Sequence, residues 1–79
     1  MFINIFGSTG KIGTKSLRIL KENFPNIKIN LLTANNNFKK LIAQTNIFNP
    51  NYICITNEKH IDKIKSEISN KVKIIHPEE

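Results

Sequence analysis

The sequence predicts an α/β domain built on a parallel sheet, and three observations carry that prediction. Short β-branched and aromatic runs recur at residues 2–6, 27–33, 52–55 and 72–75. Between them lie stretches whose apolar residues follow helical spacing. All three glycines of the chain, Gly7, Gly10 and Gly13, crowd the first strand-to-helix connection. Strands alternating with helices of ~10–15 residues imply parallel pairing through right-handed crossovers. The expected order is β-α-β-α-β-α-β.

Each element has a local reason. Phe2-Ile3-Asn4-Ile5-Phe6 is nearly continuous in strand-forming residues, as in a strand buried on both faces. Gly13, Leu17, Leu20 and Phe24 share one helical face, with Lys15, Arg18 and Lys21 turned elsewhere, and Pro25 stops that helix. Residues 27–33 give the second strand. Asn35, Asn36 and Asn37 form a turn cluster, and Asn37 is placed to cap the next helix. Phe38, Leu41, Ile42, Thr45 and Phe48 mark that helix, which must end before Pro50. Tyr52–Ile55 is the third strand, and residues 58–69 form a helix with Ile61, Ile64 and Ile68 on one face. Residues 72–75 make the last strand, lying either beside residues 2–6 or on the far edge beside Tyr52–Ile55. In the second arrangement residues 2–6 present an unpaired apolar edge, a template for association.

Composition bounds the function. With 79 residues the chain is one small domain, and 39% apolar with 23% charged residues is a globular composition. No apolar run approaches the ~20 residues that span a bilayer. The apolar start at residues 1–6 runs into glycines instead of forming a secretory signal. A lone cysteine, Cys54, removes an internal disulfide and a cysteine-based zinc site. These features predict a soluble domain of a reducing compartment, expected in the cytoplasm, with no membrane partner. The net charge of +6 invites a nucleic-acid reading, but lysine supplies eleven of the twelve basic residues, and only Lys39 and Lys40 are adjacent. Few aromatics sit among them as stacking platforms, and the high Ile, Asn and Lys content is that of an A/T-rich coding sequence. No nucleic-acid partner is expected.

The motif that carries chemistry is Gly7-Ser8-Thr9-Gly10-Lys11-Ile12-Gly13, between the first strand and the first helix. A dinucleotide-binding fold places its pyrophosphate loop there. Gly7 permits the tight turn, Gly10 lets the backbone approach phosphate, and Gly13 lets the helix pack closely on the sheet. The helix start offers free N–H groups and the positive end of its dipole to the anion. Ser8 and Thr9 are expected to add hydroxyl donors, and Lys11 charge. The second strand ends Leu31-Leu32-Thr33-Ala34 without the acid that usually holds the ribose hydroxyls of NAD. Asn35, Asn36, Asn37, Lys39 and Lys40 follow, which suits a 2′-phosphate and favours NADPH over NADH. The expected fold is therefore a Rossmann-like parallel sheet, a partial dinucleotide-binding domain over residues 1–79.

Other reactive residues point nowhere. Cys54 reads as a small core residue of the third strand. His60 and His76 have no partner at metal or triad spacing. The acids Glu22, Glu58, Asp62, Glu67, Glu78 and Glu79 include none beside the glycine loop. No catalytic residue and no metal ligand is expected within the chain.

These residues resemble the N-terminus of the 1-deoxy-D-xylulose 5-phosphate reductoisomerase family. The matching stretches are residues 5–13 (IFGSTGKIG), residues 32–37 (LTANNN) and residues 48–52 (FNPNY). The resemblance runs over essentially the whole chain, with Lys11 in place of a serine and Asn35 in place of a glycine. Asparagine is the non-glycine residue best able to take a left-handed conformation there. The resemblance implies NADPH contacts at Thr9, Gly10, Lys11 and Ile12 on the pyrophosphate side, and at Asn35, Asn36 and Asn37 on the 2′-phosphoribose side. It also implies a divalent metal, Mg²⁺ or Mn²⁺, a sugar-phosphate substrate and a homodimer for the full-length enzyme, which makes 2-C-methyl-D-erythritol 4-phosphate in the non-mevalonate isoprenoid pathway. The family protein is far longer, so its catalytic and C-terminal domains are expected beyond Glu79. The chain alone is expected to be inactive, and either marginally stable or self-associating. Two alternatives stay open: a fragment of another NADP-dependent reductase of the semialdehyde dehydrogenase type, and a non-catalytic dinucleotide-binding module.

Overall fold

A computed structural model describes residues 2–76; Met1 and residues 77–79, with the acids Glu78 and Glu79, lie outside the described residues. The elements follow the expected alternation: β1 (Phe2–Ile5), α1 (Lys11–Asn23), β2 (Lys28–Ala34), α2 (Phe38–Phe48), β3 (Tyr52–Ile55), α3 (Ile61–Glu67) and β4 (Lys73–Ile75). The third helical stretch is shorter than its apolar period suggests. Residues Glu58–His60 form a 3₁₀ turn, and Ile68, the last apolar residue of the period, already has an extended backbone. Asn57 causes the tight entry, since its side chain accepts from the Lys59 N–H at 3.1 Å.

All pairings are parallel and the sheet order is β1-β2-β3-β4. This decides the placement the sequence left open: β4 extends the far edge beside β3, and among the described residues β1 has a partner on one side only. Because each strand pairs with its predecessor, right-handed connections set all the helices on one face of the sheet. Burial alternates accordingly. Ile53 and Ile55 of β3 are fully covered, while Tyr52 and Cys54 point to the other face and are partly or largely exposed. In β2 the alternation is broken by a bulge, because Ile3 pairs with Ile29 but Asn4 with Leu31. The skipped residue, Asn30, donates to Asn4 Oδ1 at 3.0 Å and accepts from Asn51 Nδ2 at 3.1 Å. The slip puts Ile29, Leu32 and Ala34 together in the core.

Leu17, Leu41, Ile42, Ile61, Ile64 and Val72 complete that core from the helices and the last loop. Helix α2 starts at the expected cap, with Asn37 Oδ1 accepting from the Lys40 N–H at 3.2 Å. It ends at Asn49, whose φ of 48° is left-handed, immediately before the buried Pro50.

Three expectations fail, two of them because one face of the sheet is uncovered and the third because a helix ends early. β1 is not buried on both faces, since Phe2 is 63% exposed and Asn4 is exposed beside it. Cys54 is a half-covered residue of the open face instead of a core residue. Phe24 leaves the apolar face of α1, because the helix ends there and its ring lines a groove with Phe2 and Ile27 at the opposite end of the sheet from the glycine loop.

The free edge of β1 is expected to make the chain self-associate. Phe2→Lys with Phe6→Lys should shift size-exclusion elution toward monomer, whereas the same charges at Asn23 and Asn26 should not. A parent chain that stays monomeric at high concentration would contradict this.

The open face also sets the chemistry of Cys54. Partial burial raises its thiol pKa above the usual value, and the negative charge of Glu58 adds to the rise. Less thiolate is then present at neutral pH, so a disulfide reagent should react more slowly than with free cysteine. The rate should climb with pH to an inflection above that of the free thiol, and Glu58→Gln should lower that inflection.

Candidate dinucleotide-binding site

The glycine loop leaves the carboxyl end of β1 and turns at once, because Gly7 takes φ +67°. Two bonds pin the turn to the end of β2. The Gly7 N–H donates to Thr33 Oγ1 at 2.8 Å, and the Ser8 N–H donates to the Thr33 carbonyl at 2.7 Å. Ser8 itself is completely buried. Its hydroxyl donates to Gln44 Oε1 at 2.7 Å, and its carbonyl accepts from Gln44 Nε2 at 2.8 Å and from Thr14 Oγ1 at 3.3 Å. Ser8 is therefore a structural post and not the phosphate donor its position suggests.

Helix α1 begins directly on this post. A Cβ at Gly13 would lie 2.3 Å from the Gly7 carbonyl oxygen and 2.7 Å from Ser8 Cα. The close approach that needs this glycine is thus to the loop backbone, where a fit against the sheet was expected. A Cβ at Gly10 would stand 3.3 Å from the same oxygen, tight but not a clash. Gly10 is the N-cap and gives no side-chain acceptor; the Thr14 N–H returns to the Gly10 carbonyl at 2.9 Å. The N–H groups of Lys11, Ile12 and Gly13 precede that first helical bond, so the fold gives them no intrahelical partner. Three donors and the positive end of the dipole meet in a cradle without a Cβ at Gly10, which fits a pyrophosphate.

An open cleft of ≈ 670 Å³ lies here, lined by Gly7, Gly10, Lys11, Ile12 and Gly13 with the exposed ring of Phe6. Five of the nine expected site residues therefore meet in one place. Thr9, half-buried, is not part of the lining. Asn35, Asn36 and Asn37 sit in the neighbouring loop after β2 and are exposed. Asn37 is committed to capping α2. Asn35 Oδ1 accepts from Thr56 Oγ1 at 3.1 Å and Asn36 Oδ1 from Asn57 Nδ2 at 3.0 Å, lacing this loop to the one after β3. Asn35 does not use a left-handed conformation; among the described residues Asn49 is the non-glycine residue that does.

Sequence reasoning missed Thr33, Gln44, Thr56 and Asn57. Gln44 left a signal, since it is a polar residue three after Leu41, on the buried side of α2. Thr33 stands near the end of β2, and Thr56 and Asn57 follow β3; only the folded chain brings their partners near.

The loop packing sets an expectation. Gly13→Ala should lower stability by about 1–3 kcal/mol through overpacking against the Gly7 carbonyl, read as a lower urea midpoint. Gly10→Ala should cost clearly less, because its neighbour must yield only slightly.

The chain matches the family model for 1-deoxy-D-xylulose 5-phosphate reductoisomerase over residues 3–79. It is 52% identical over 54 residues to the reductoisomerase of Pelagibacter ubique, covering 68% of this chain and 14% of that protein. It is 37% identical over 75 residues to reductoisomerase 1 of Bacillus cereus, covering 95% of this chain and 20% of that one. The chain thus spans a fifth or less of the length of these curated relatives. A solved structure of the Zymomonas mobilis reductoisomerase in complex with NADPH shares the fold, with a TM-score of 0.85 and 24% identity over 95% of this chain and 20% of that chain. Glycine loop, strand order and sequence agree, and the chain belongs to the 1-deoxy-D-xylulose 5-phosphate reductoisomerase family.

Proposed function

We propose that residues 1–79 are the N-terminal, NADPH-binding part of a 1-deoxy-D-xylulose 5-phosphate reductoisomerase. The observation that carries this reading is the uncapped start of α1, where the Lys11, Ile12 and Gly13 N–H groups face a cleft beside the glycine loop. In this reading those N–H groups donate to the pyrophosphate, and Lys11 adds a positive charge at its rim. Asn35 and Asn36 have their side-chain oxygens engaged by Thr56 and Asn57, so their amide N–H₂ groups are left to donate outward. Two such donors, with no acid at the end of β2, suit the 2′-phosphate of NADPH.

NADPH supplies a hydride when bound. The sugar-phosphate substrate and the divalent metal, Mg²⁺ or Mn²⁺, would be held outside residues 1–79, in the four-fifths of the length that only the relatives display. The whole enzyme would rearrange and reduce 1-deoxy-D-xylulose 5-phosphate to 2-C-methyl-D-erythritol 4-phosphate, as a cytoplasmic homodimer without a nucleic-acid partner. Among the described residues no helix is long and apolar enough to cross a membrane. The family match over residues 3–79 does not favour a semialdehyde dehydrogenase or a free-standing dinucleotide module.

Calorimetric titration tests the cofactor assignment. NADPH is expected to bind more tightly than NADH, and Gly10→Val should abolish binding while the helical circular dichroism persists, because its side chain fills the phosphate cradle. Equal affinity for the two nucleotides would count against Asn35 and Asn36. Undiminished binding by Gly10→Val would make the loop a mere turn.

A further inference from the structure

Gln44 is a polar side chain in the apolar face of α2, 7% exposed, with both ends of its amide spent on one residue of the glycine loop. Its Oε1 takes the Ser8 hydroxyl proton and its Nε2 donates to the Ser8 carbonyl. A helix that needed only to bury area would place a leucine here. The amide instead satisfies two buried groups of the loop that no water can reach. The same helix begins at Asn37, directly after the Asn35 and Asn36 loop. One rigid element thereby spans from the loop after β2 to the underside of the loop after β1.

We infer that Gln44 is a positioning residue for the cofactor, fixing the glycine loop through Ser8 at a set distance from the Asn35 and Asn36 loop. The inference rests on the NADPH reading above. Gln44 does not touch the nucleotide; it acts by holding the Ser8 carbonyl and hydroxyl so that the following N–H groups converge on one point. Without its amide, the Ser8 hydroxyl loses its buried partner and the carbonyl keeps only the longer bond from Thr14 at 3.3 Å, so the loop turns outward to seek water. Preorganised donors then become mobile ones, and affinity falls without the loss of any direct contact.

The test compares three variants of the 79-residue chain with the parent. Gln44→Leu keeps the volume and removes both bonds. Thr45→Val removes the neighbouring buried hydroxyl, which bonds only to the Leu41 carbonyl at 2.7 Å, and serves as the measure of a purely structural loss. Gln44→Glu keeps both bonds only while its carboxyl is protonated, because the ionised form cannot donate to the Ser8 carbonyl. The groups it meets at Ser8, and the Thr14 sharing that carbonyl, are uncharged.

Gln44→Leu is expected to weaken NADPH binding at least about tenfold, and to speed amide hydrogen exchange selectively at residues 7–13 relative to β3. Thr45→Val should do neither at an equal loss of unfolding midpoint. NADP⁺ binding by Gln44→Glu, referred to the parent at each pH, should fall as pH rises from mildly acidic to mildly basic. Parent-like affinity of Gln44→Leu, or a loss no larger than that of Thr45→Val, would overturn the inference. So would a pH-independent ratio for Gln44→Glu. If the parent binds no nucleotide at all, the NADPH reading itself fails. Hydrogen exchange then decides the clamp, selective acceleration at the loop upholding it and a uniform change overturning it.

Discussion

The upper edge of this fold depends on burying the backbone of a surface loop. Loops ordinarily stay on the outside because their peptide groups have no partners within the protein. Ser8 is the exception, fully enclosed, and every polar atom it carries has a partner from a different element: β2 at its N–H, α1 and α2 at its carbonyl, α2 at its hydroxyl. Two glycines make this possible, one by turning the chain into the site and the other by letting α1 begin against it. No single contact here is strong. The arrangement is stiff because the partners belong to three separately packed elements, and displacing β2 or α2 would leave a buried group of Ser8 unpaired.

The abundance of asparagine takes on a structural sense beside that post. A composition set by A/T-rich coding would be expected to scatter asparagines over loops. Here they bond to one another or to neighbouring polar residues across strands: Asn4, Asn30 and Asn51 bridge β1, β2 and the entry to β3, while Asn35 and Asn36 meet Thr56 and Asn57 at the opposite end. Each bond is exposed and contributes little by itself. Together they tie neighbouring strands on one side and successive loops on the other, at positions outside the apolar core.

The order of elements was legible from periodicity because the strand runs are short, apolar and bounded by Gly, Pro or Asn. The glycine loop was legible because φ > 0 and close backbone approach leave a residue-type signature. Three things were not. The position of β4 turns on which edge the last connection crosses to, and no local pattern in Lys73–Ile75 records that. The exposure of Phe2 and Phe24 depends on what covers a face, a property of packing that the residue's own apolarity misreports. Ser8 was misread because its hydroxyl sits in a motif where hydroxyls face phosphate, whereas its partner, Gln44, lies thirty-six residues away. Sequence reveals period and turn chemistry; it does not reveal which distant amide will claim a hydroxyl.

The strictly sequential strand order has a consequence for how the chain comes together. Every strand pairs with the one synthesised just before it, so each closure spans a single strand-helix-strand unit and carries a similar, modest entropic cost. No pairing has to wait for a later segment to be inserted between two earlier ones. On a ribosome the sheet can grow outward from β1 in the order of translation, each helix sealing one face as it emerges. The glycine loop, however, is locked only when α2 delivers Gln44, after two strands have already paired. The final shape of the glycine loop is therefore a late product of assembly, set by the fourth element of the chain to arrive and not by the motif alone.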